Sequence, residues 1–195
     1  MINYELYLIL NPILGNEGFK SETTKIQEIL ENKLKAKDIN AEVEGLKKLS
    51  YPIKKQWSGC YVLFTFSLEE GDQMNFSVLE KALNINTAVI RYMFTNMDEY
   101  IVQKSKERLN ETEIFNHQDL NKANIKDKKC IVKHIGYRAI DYKDIKFISQ
   151  FMSPYAKIFG KERTGVSAKY QRKLSKAIKK ARHMALLPFT SKHML

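Results

Sequence analysis

Nine cationic side chains stand within 22 residues of the 195-residue chain: Lys161, Arg163, Lys169, Arg172, Lys173, Lys176, Lys179, Lys180 and Arg182. Glu162 is the one acid among them. Side chains of this kind at this density hold anions rather than make or break bonds. A helix through them places Tyr170, Leu174, Ala177, Ile178 and Ala181 on one apolar stripe, and Lys169, Arg172, Lys173, Lys176, Lys179 and Lys180 fall off it. Six cations within about three turns, with no Glu four residues earlier to pair them, repel one another unless an anion array neutralises them. A phosphate backbone is such an array, and each phosphate it offers releases counterions on binding. A merely solvated basic face is the plainer reading, and the density and the missing acids weigh against it. A membrane-surface helix fits less well, because Trp and Phe are absent from the apolar stripe.

Other chemistries find less support. His117, His134, His183 and His193 have no Asp or Cys partner at catalytic or ligand spacing, and His183 extends the basic face. Cys60 and Cys130 are seventy residues apart and cannot complete a zinc site alone, so they read as two reduced thiols, and neither metal nor cofactor is expected. Asp141 and Asp144 form a carboxylate pair that helix capping explains more simply. Gly15 and Gly18 make no phosphate-binding loop, and no cation lies between Asn11 and Glu17, which argues against an acyl-phosphate hydrolase. Trp57, Tyr61, Phe64 and Phe66 read as core rather than as a base-stacking platform.

The charge is segregated. Residues 1–104 hold 12 Lys and Arg against 14 Asp and Glu, residues 105–127 hold 4 against 5, and residues 128–195 hold 17 against 3. The chain's net charge of +11 therefore resides in its last third, as expected of a near-neutral body joined to a module that grips nucleic acid. No apolar run is long enough to span a membrane, and the start lacks both the basic and apolar regions of a signal peptide and the Arg-rich pattern of a transit segment.

The elements that must position these residues are legible in outline. Tyr4 to Leu10 is a buried-strand pattern ended by Asn11-Pro12, followed by a loop with Gly15 and Gly18. Ser21 to Lys37 has helical spacing through Ile26, Ile29, Leu30 and Leu34, with Ser21 or Thr24 as cap. Ala41 to Leu49 and Tyr61 to Leu68 read as strands with Tyr51-Pro52 between them, Gln73 to Leu83 as a helix, and Val89 to Met97 as a strand. This order predicts an α+β, ferredoxin-like fold: a four-stranded antiparallel sheet with two helices on one face. Residues 101–127, rich in Asn, Gln, Lys and Glu, read as a linker. A small, mostly helical basic domain follows over 128–195. Asp144 would cap a helix through Ile145, Ile148, Phe151 and Met152 that Ser153-Pro154 ends. A loop with Gly160 and Gly165 leads to Ser167, the cap of the long basic helix, which Leu186 to Thr190 stops. Two helices in about 68 residues promise only a thin core.

The sequence also resembles two known families. Tyr4-Glu5-Leu6 to Leu10-Asn11-Pro12, Leu49-Ser50-Tyr51-Pro52-Ile53-Lys54-Lys55, Tyr61-Val62-Leu63 and Asn86-Thr87-Ala88-Val89-Ile90-Arg91 make residues 1–100 similar to bacterial small-subunit ribosomal protein six. Ile140-Asp141-Tyr142-Lys143-Asp144-Ile145, Ala168-Lys169-Tyr170-Gln171-Arg172, Lys176 to Arg182 and Leu186-Leu187-Pro188-Phe189-Thr190 make residues 128–195 similar to small-subunit ribosomal protein eighteen. The resemblance implies a structural part of the small ribosomal subunit, not an enzyme. It implies contact with the central (platform) domain of small-subunit ribosomal RNA through the basic helix, docking of the first domain on the second, and neighbouring ribosomal proteins as partners. The place implied is the cytoplasmic ribosome of a bacterium, with an organellar ribosome left open, and no membrane partner. Glu162 and Ser167 depart from the basic residues usual in the second family, and Cys130 alone remains of the cysteines with which some of its relatives bind zinc. The runner-up is a DNA-binding regulator with a ferredoxin-like sensing domain. It would require two helices joined by a turn of three or four residues, whereas the gap from Ser153 to Val166 reads as far too long.

Overall fold

A computed structural model describes residues 1–69, 76–97 and 140–191. The chain divides into two compact units, Met1–Ile101 and Val102–Leu195. The expected linker over 101–127, the stretch 128–139, the helix start at residues 73–75, Cys130, His117, His134 and His193 lie outside the described residues.

In the first unit β1 (Ile2–Leu10) leads through a 3-10 turn (Pro12–Leu14) into α1 (Gly15–Leu34). Strands β2 (Lys37–Ile53) and β3 (Gln56–Leu68), helix α2 (Phe76–Ile85) and strand β4 (Val89–Asn96) follow. The strands pair antiparallel in the order β2-β3-β1-β4, the expected sandwich. Alternate residues along each strand enter one core, Tyr4, Leu6, Leu8 and Leu10 from β1 and Cys60, Val62, Phe64, Phe66 and Leu68 from β3. Phe19, Ile26, Leu30 and Leu34 of α1 and Leu79 and Leu83 of α2 meet them, so both helices cover the same face.

Helix α1 starts six residues before the expected Ser21. Asn11 caps the turn ahead of it by accepting from the Ile13 amide at 3.2 Å, and Pro12 takes the first position of that turn, where its missing N–H costs nothing. Gly15 and Gly18 are therefore helical, not loop, and Thr24 lies inside the helix with its hydroxyl donating to the Lys20 carbonyl at 3.0 Å. Strand β2 runs through Tyr51-Pro52 instead of stopping before it. It is an edge strand, where a proline removes no ladder hydrogen bond that the sheet requires. Gly59 of β3 allows β1 to approach closely, since a Cβ there would stand 2.4 Å from Ile9 Cγ2. Glu22 ties α1 to the connection between α2 and β4: it receives Lys25 Nζ at 2.6 Å from its own helix and Asn86 Nδ2 at 2.9 Å from that connection. On the sheet face turned from the helices, Tyr7, Ile9 and Tyr61 are buried, Tyr7 donates to Glu44 and Arg91 donates to the Tyr51 hydroxyl at 2.7 Å.

The second unit contains α3 (Ile145–Ser149), α4 (Lys161–Thr164) and α5 (Ala168–His183). Asp144 caps α3 as expected, accepting from the Phe147 amide at 3.1 Å, and Asp141 accepts from the Lys143 amide at 3.0 Å. Helix α3 ends at Ser149 rather than running to Met152. Phe151 and Met152 stay buried because the chain doubles back: Met152 bridges Ile158, and the Phe159 amide donates to the Phe151 carbonyl at 2.9 Å. Ser153-Pro154 thus opens a reversal instead of ending the helix. Helix α4 forms inside the stretch expected to be loop, and Gly165 at φ 62 stops it by donating to the Lys161 carbonyl. Tyr142, Phe147, Ile148, Phe151, Met152, Phe159, Val166, Leu174, Ile178, Met184 and Leu187 are all buried, a fuller core than two amphipathic stripes would build. Among the described residues no helix is long and apolar enough to cross a membrane, and no cluster of three or more His, Cys, Asp or Glu side chains is placed to hold a metal.

Candidate nucleic-acid interface

Helix α5 forms because its apolar residues recur at three- and four-residue steps and its start has the right backbone. Ser167 takes the N-cap position with extended dihedrals (φ −65, ψ 154), and its carbonyl accepts the first helical bond from the Gln171 amide at 2.8 Å. Its side chain makes no capping bond, so the expected cap is one of position rather than of the hydroxyl. Leu174, Ala177, Ile178 and Ala181 are buried, and Tyr170 is half-buried. Gln171 Nε2 pins the helix to the reversal by donating to the Phe159 carbonyl at 2.9 Å.

Lys169, Arg172, Lys173, Lys176 and Lys179 are exposed. At about 100° per residue they occupy an arc of roughly 120°, opposite the buried arc centred near Leu174. From Lys169 to Lys179 the array runs about 15 Å along the axis. None of the five makes an ion pair among the described residues. No acid stands in the first turn of α5, and Lys180, Arg182 and His183 lie in its last turn, where the helix dipole favours positive charge. Lys180 is half-buried at the edge of this face. In α4, Lys161 and Arg163 are exposed on either side of exposed Glu162, and the Arg163 guanidinium lies 4.0 Å from the Phe159 ring centroid.

Arg182 is the exception among the nine. Its Nε donates to the Pro188 carbonyl at 3.2 Å and its Nη2 to the Ala156 carbonyl at 2.5 Å, with the guanidinium 5.9 Å from the Phe189 ring centroid. Burial pulls its pKa below the ordinary arginine value. The side chain therefore braces the end of α5 against the chain on both sides of it, a role that its place in a basic run did not signal. One correction concerns Trp57. Tyr61, Phe64 and Phe66 are buried as expected, but Trp57 is 59% exposed. Helices α4 and α5 are separated by three residues including Gly165, the turn length that a helix-turn-helix requires, yet α4 is a single turn of four residues.

Comparison with known proteins decides among these readings. The family profile of Ribosomal protein S6 matches residues 3–96, and that of Ribosomal protein S18 matches residues 136–187. Small ribosomal subunit protein bS18A of Roseiflexus castenholzii is 56% identical over 67 residues, which make up 34% of this chain and 74% of that protein. The chain belongs to the ribosomal protein S18 family, with a ribosomal protein S6 domain ahead of it. Small ribosomal subunit protein bS18 of Phocaeicola vulgatus is 45% identical over 69 residues, 35% of this chain and 78% of that protein. The crystal structure of ribosomal protein S6 from Thermotoga maritima covers 49% of this chain and 86% of its own, at 25% identity and a TM-score of 0.44. This is a small-subunit ribosomal protein with S6 and S18 domains in one polypeptide, and its families are those of ribosomal proteins and not of enzymes. All five exposed cations of α5 fall within the S18 match.

Proposed function

We propose that the exposed face of α5, with Lys161 and Arg163 of α4, lies along the central (platform) domain of small-subunit ribosomal RNA. The S6 domain docks against the S18 domain and meets neighbouring ribosomal proteins. In this reading residues 1–100 are the docking domain, 101–127 the tether and 128–195 the RNA-gripping domain. One observation carries it: the buried and cationic arcs of α5 are opposite and separate, so the helix packs fully while presenting five exposed cations that no ion pair among the described residues occupies. The lack of pairing is a cost for the protein alone and a gain once phosphates arrive. Glutamate at 162 and serine at 167 lower the charge ahead of α5, which shifts the grip towards Lys169 and beyond. Covalent linkage converts docking of the two domains into an intramolecular step, at an effective concentration on the order of millimolar for a tether that spans the sites.

The test is co-sedimentation of the tagged chain with small ribosomal subunits, followed by crosslink mapping. Crosslinks from residues 169–179 to the central domain are expected. Crosslinks from these residues only to protein, or to another RNA domain, would overturn the assignment.

A further inference from the structure

We propose that the end of the β2–β3 hairpin is a second RNA-binding surface, where an unpaired base stacks on Trp57 while Lys55, in the turn two residues before it, holds an adjoining phosphate. The proposal rests on the reading that RNA is the partner, and it places a contact on the S6 domain, far in sequence from α5.

Charge is the first observation. Residues 45–61 contain Lys47, Lys48, Lys54 and Lys55 and no acid, whereas the rest of residues 1–104 carries eight cations against fourteen acids. A basic island therefore sits on an otherwise acidic domain. Not all four lysines are available. Lys47 pairs with Glu44 at 2.8 Å, and Lys54 Nζ donates to the Val89 carbonyl at 3.1 Å. Lys48 and Lys55 are exposed and make no such contact among the described residues, but Lys48 pairs with Ser58 and so lies on the sheet face opposite Trp57, which leaves Lys55.

Trp57 is the second. It is the chain's one tryptophan and is 59% exposed, although Leu49, Ile53 and Tyr61 around it in the hairpin are buried. Edge strands are commonly studded with lysines to discourage pairing with other chains, which alone would account for the charge on β2. An exposed indole on the same hairpin works against that purpose. An aromatic face beside cations is instead the pairing that holds single-stranded nucleic acid, because every base has a face to stack and every nucleotide a phosphate.

The turn is the third. Ile53 pairs with Gln56, so Lys54 and Lys55 are the two central residues of a two-residue hairpin turn, at φ 48 and 66. Turns of this shape favour Asn-Gly or Asp-Gly, since a residue with a Cβ is strained in the left-handed region. Lysine at both positions forgoes the easier turn. The bond of Lys54 to Val89 offsets this within the fold, and Lys55 makes no such bond among the described residues.

A single tryptophan makes the test direct. The full chain is titrated with a transcript of the central domain of small-subunit ribosomal RNA, while indole emission, acrylamide quenching and retention of RNA on a filter are followed together. Emission should fall and acrylamide access decrease as RNA saturates. Trp57→Ala should weaken binding roughly 5- to 150-fold without lowering the melting temperature. Lys55→Gln should weaken the emission change and reduce the salt slope by roughly 0.7–0.9, whereas Lys48→Gln should leave the emission change as it is. RNA retained with unchanged emission and acrylamide access would overturn this proposal and leave the α5 interface standing. A Lys55→Gln variant that keeps both the full quenching and the original salt slope would overturn it too, as would a change produced by neighbouring ribosomal proteins without RNA. Failure to retain RNA at all would sink both readings.

Discussion

Replacing Lys173, Lys176 and Lys179 together with glutamine removes three of the seven exposed cations of α4 and α5 and leaves the buried arc of Leu174, Ala177, Ile178 and Ala181 untouched. Glutamine has nearly the helix propensity of lysine, and the change relieves like-charge repulsion at three-residue spacing, so the free protein should be as stable as before or slightly more so. Each phosphate contact contributes roughly 0.7–0.9 to the slope of log affinity against log salt. Losing three contacts should lower that slope by about 2–3. Carried from a 1 M reference to 0.1 M salt, this amounts to two to nearly three decades of affinity. Between 50 and 200 mM the original chain should lose roughly 15- to 40-fold more affinity than the variant. Filter retention of a labelled central-domain transcript at several salt concentrations measures the slopes, and circular dichroism checks that α5 persists. A folded variant with the unaltered slope would refute the assignment of these lysines to phosphates.

Three further outcomes are expected. Arg182→Ala should cost about 2–4 kcal/mol by stripping two carbonyls of a charged donor, with the salt slope of RNA binding unchanged. Retained stability in urea with a reduced slope would return Arg182 to the RNA face. Glu22 titrates below the usual carboxylate value of 4.5, held there by the Asn86 amide and then by Lys25. A carboxylate depressed in the folded state stabilises it fully above the unfolded value and loses that contribution as pH falls through the folded one. Urea melts from pH 6 to 3 should therefore fall more steeply for the original chain than for Glu22→Gln, and parallel curves would contradict the linkage. Gly59→Ala should destabilise the first domain by about 1–3 kcal/mol, since its Cβ meets Ile9 Cγ2 at 2.4 Å. A melting temperature unchanged by this substitution would show that β1 and β3 can separate at no cost.

The elements with strong periodicity were the ones the sequence revealed. The apolar run from Tyr4 to Leu10 is buried throughout, and the three- and four-residue steps from Leu174 to Ala181 form the buried face of α5. Boundaries were harder to read where a local rule depends on tertiary context. Pro52 normally ends a strand, yet β2 lies at the sheet edge and continues through it. Ser21 and Thr24 are good caps by type, but the Asn11-Pro12 turn had already started α1 upstream. At the candidate interface, all nine cations that the composition of the basic run picks out are exposed or half-exposed, and Arg182 differs from the others in the two carbonyls it holds. Composition could not separate Arg182 from them, because the carbonyls that capture it belong to Ala156 and Pro188, and only the chain reversal at Ser153 brings the first within reach. Trp57 was placed in the core by residue type, and no local pattern distinguishes an indole that packs from one that projects.

Arg182 also bears on why the cations are carried by a folded unit and not by a loose basic tail. A disordered segment with the same charges would order itself on RNA and lose part of its interaction energy in doing so. In α5 that ordering is done beforehand. Leu174, Ala177, Ile178 and Ala181 fix the rotation of the helix, Gln171 fixes its first turn to Phe159, and Arg182 fixes its last turn to Ala156 and Pro188. Four of the five exposed cations, Arg172, Lys173, Lys176 and Lys179, lie between those two pins, and Lys169 stands two residues ahead of the first. Mutual repulsion would fray or rotate an isolated helix of this composition, and the core of the second domain is what opposes it. Arg182, one of the nine cations of the basic run, thus holds the others in register, and its loss should be read in stability before it is read in binding.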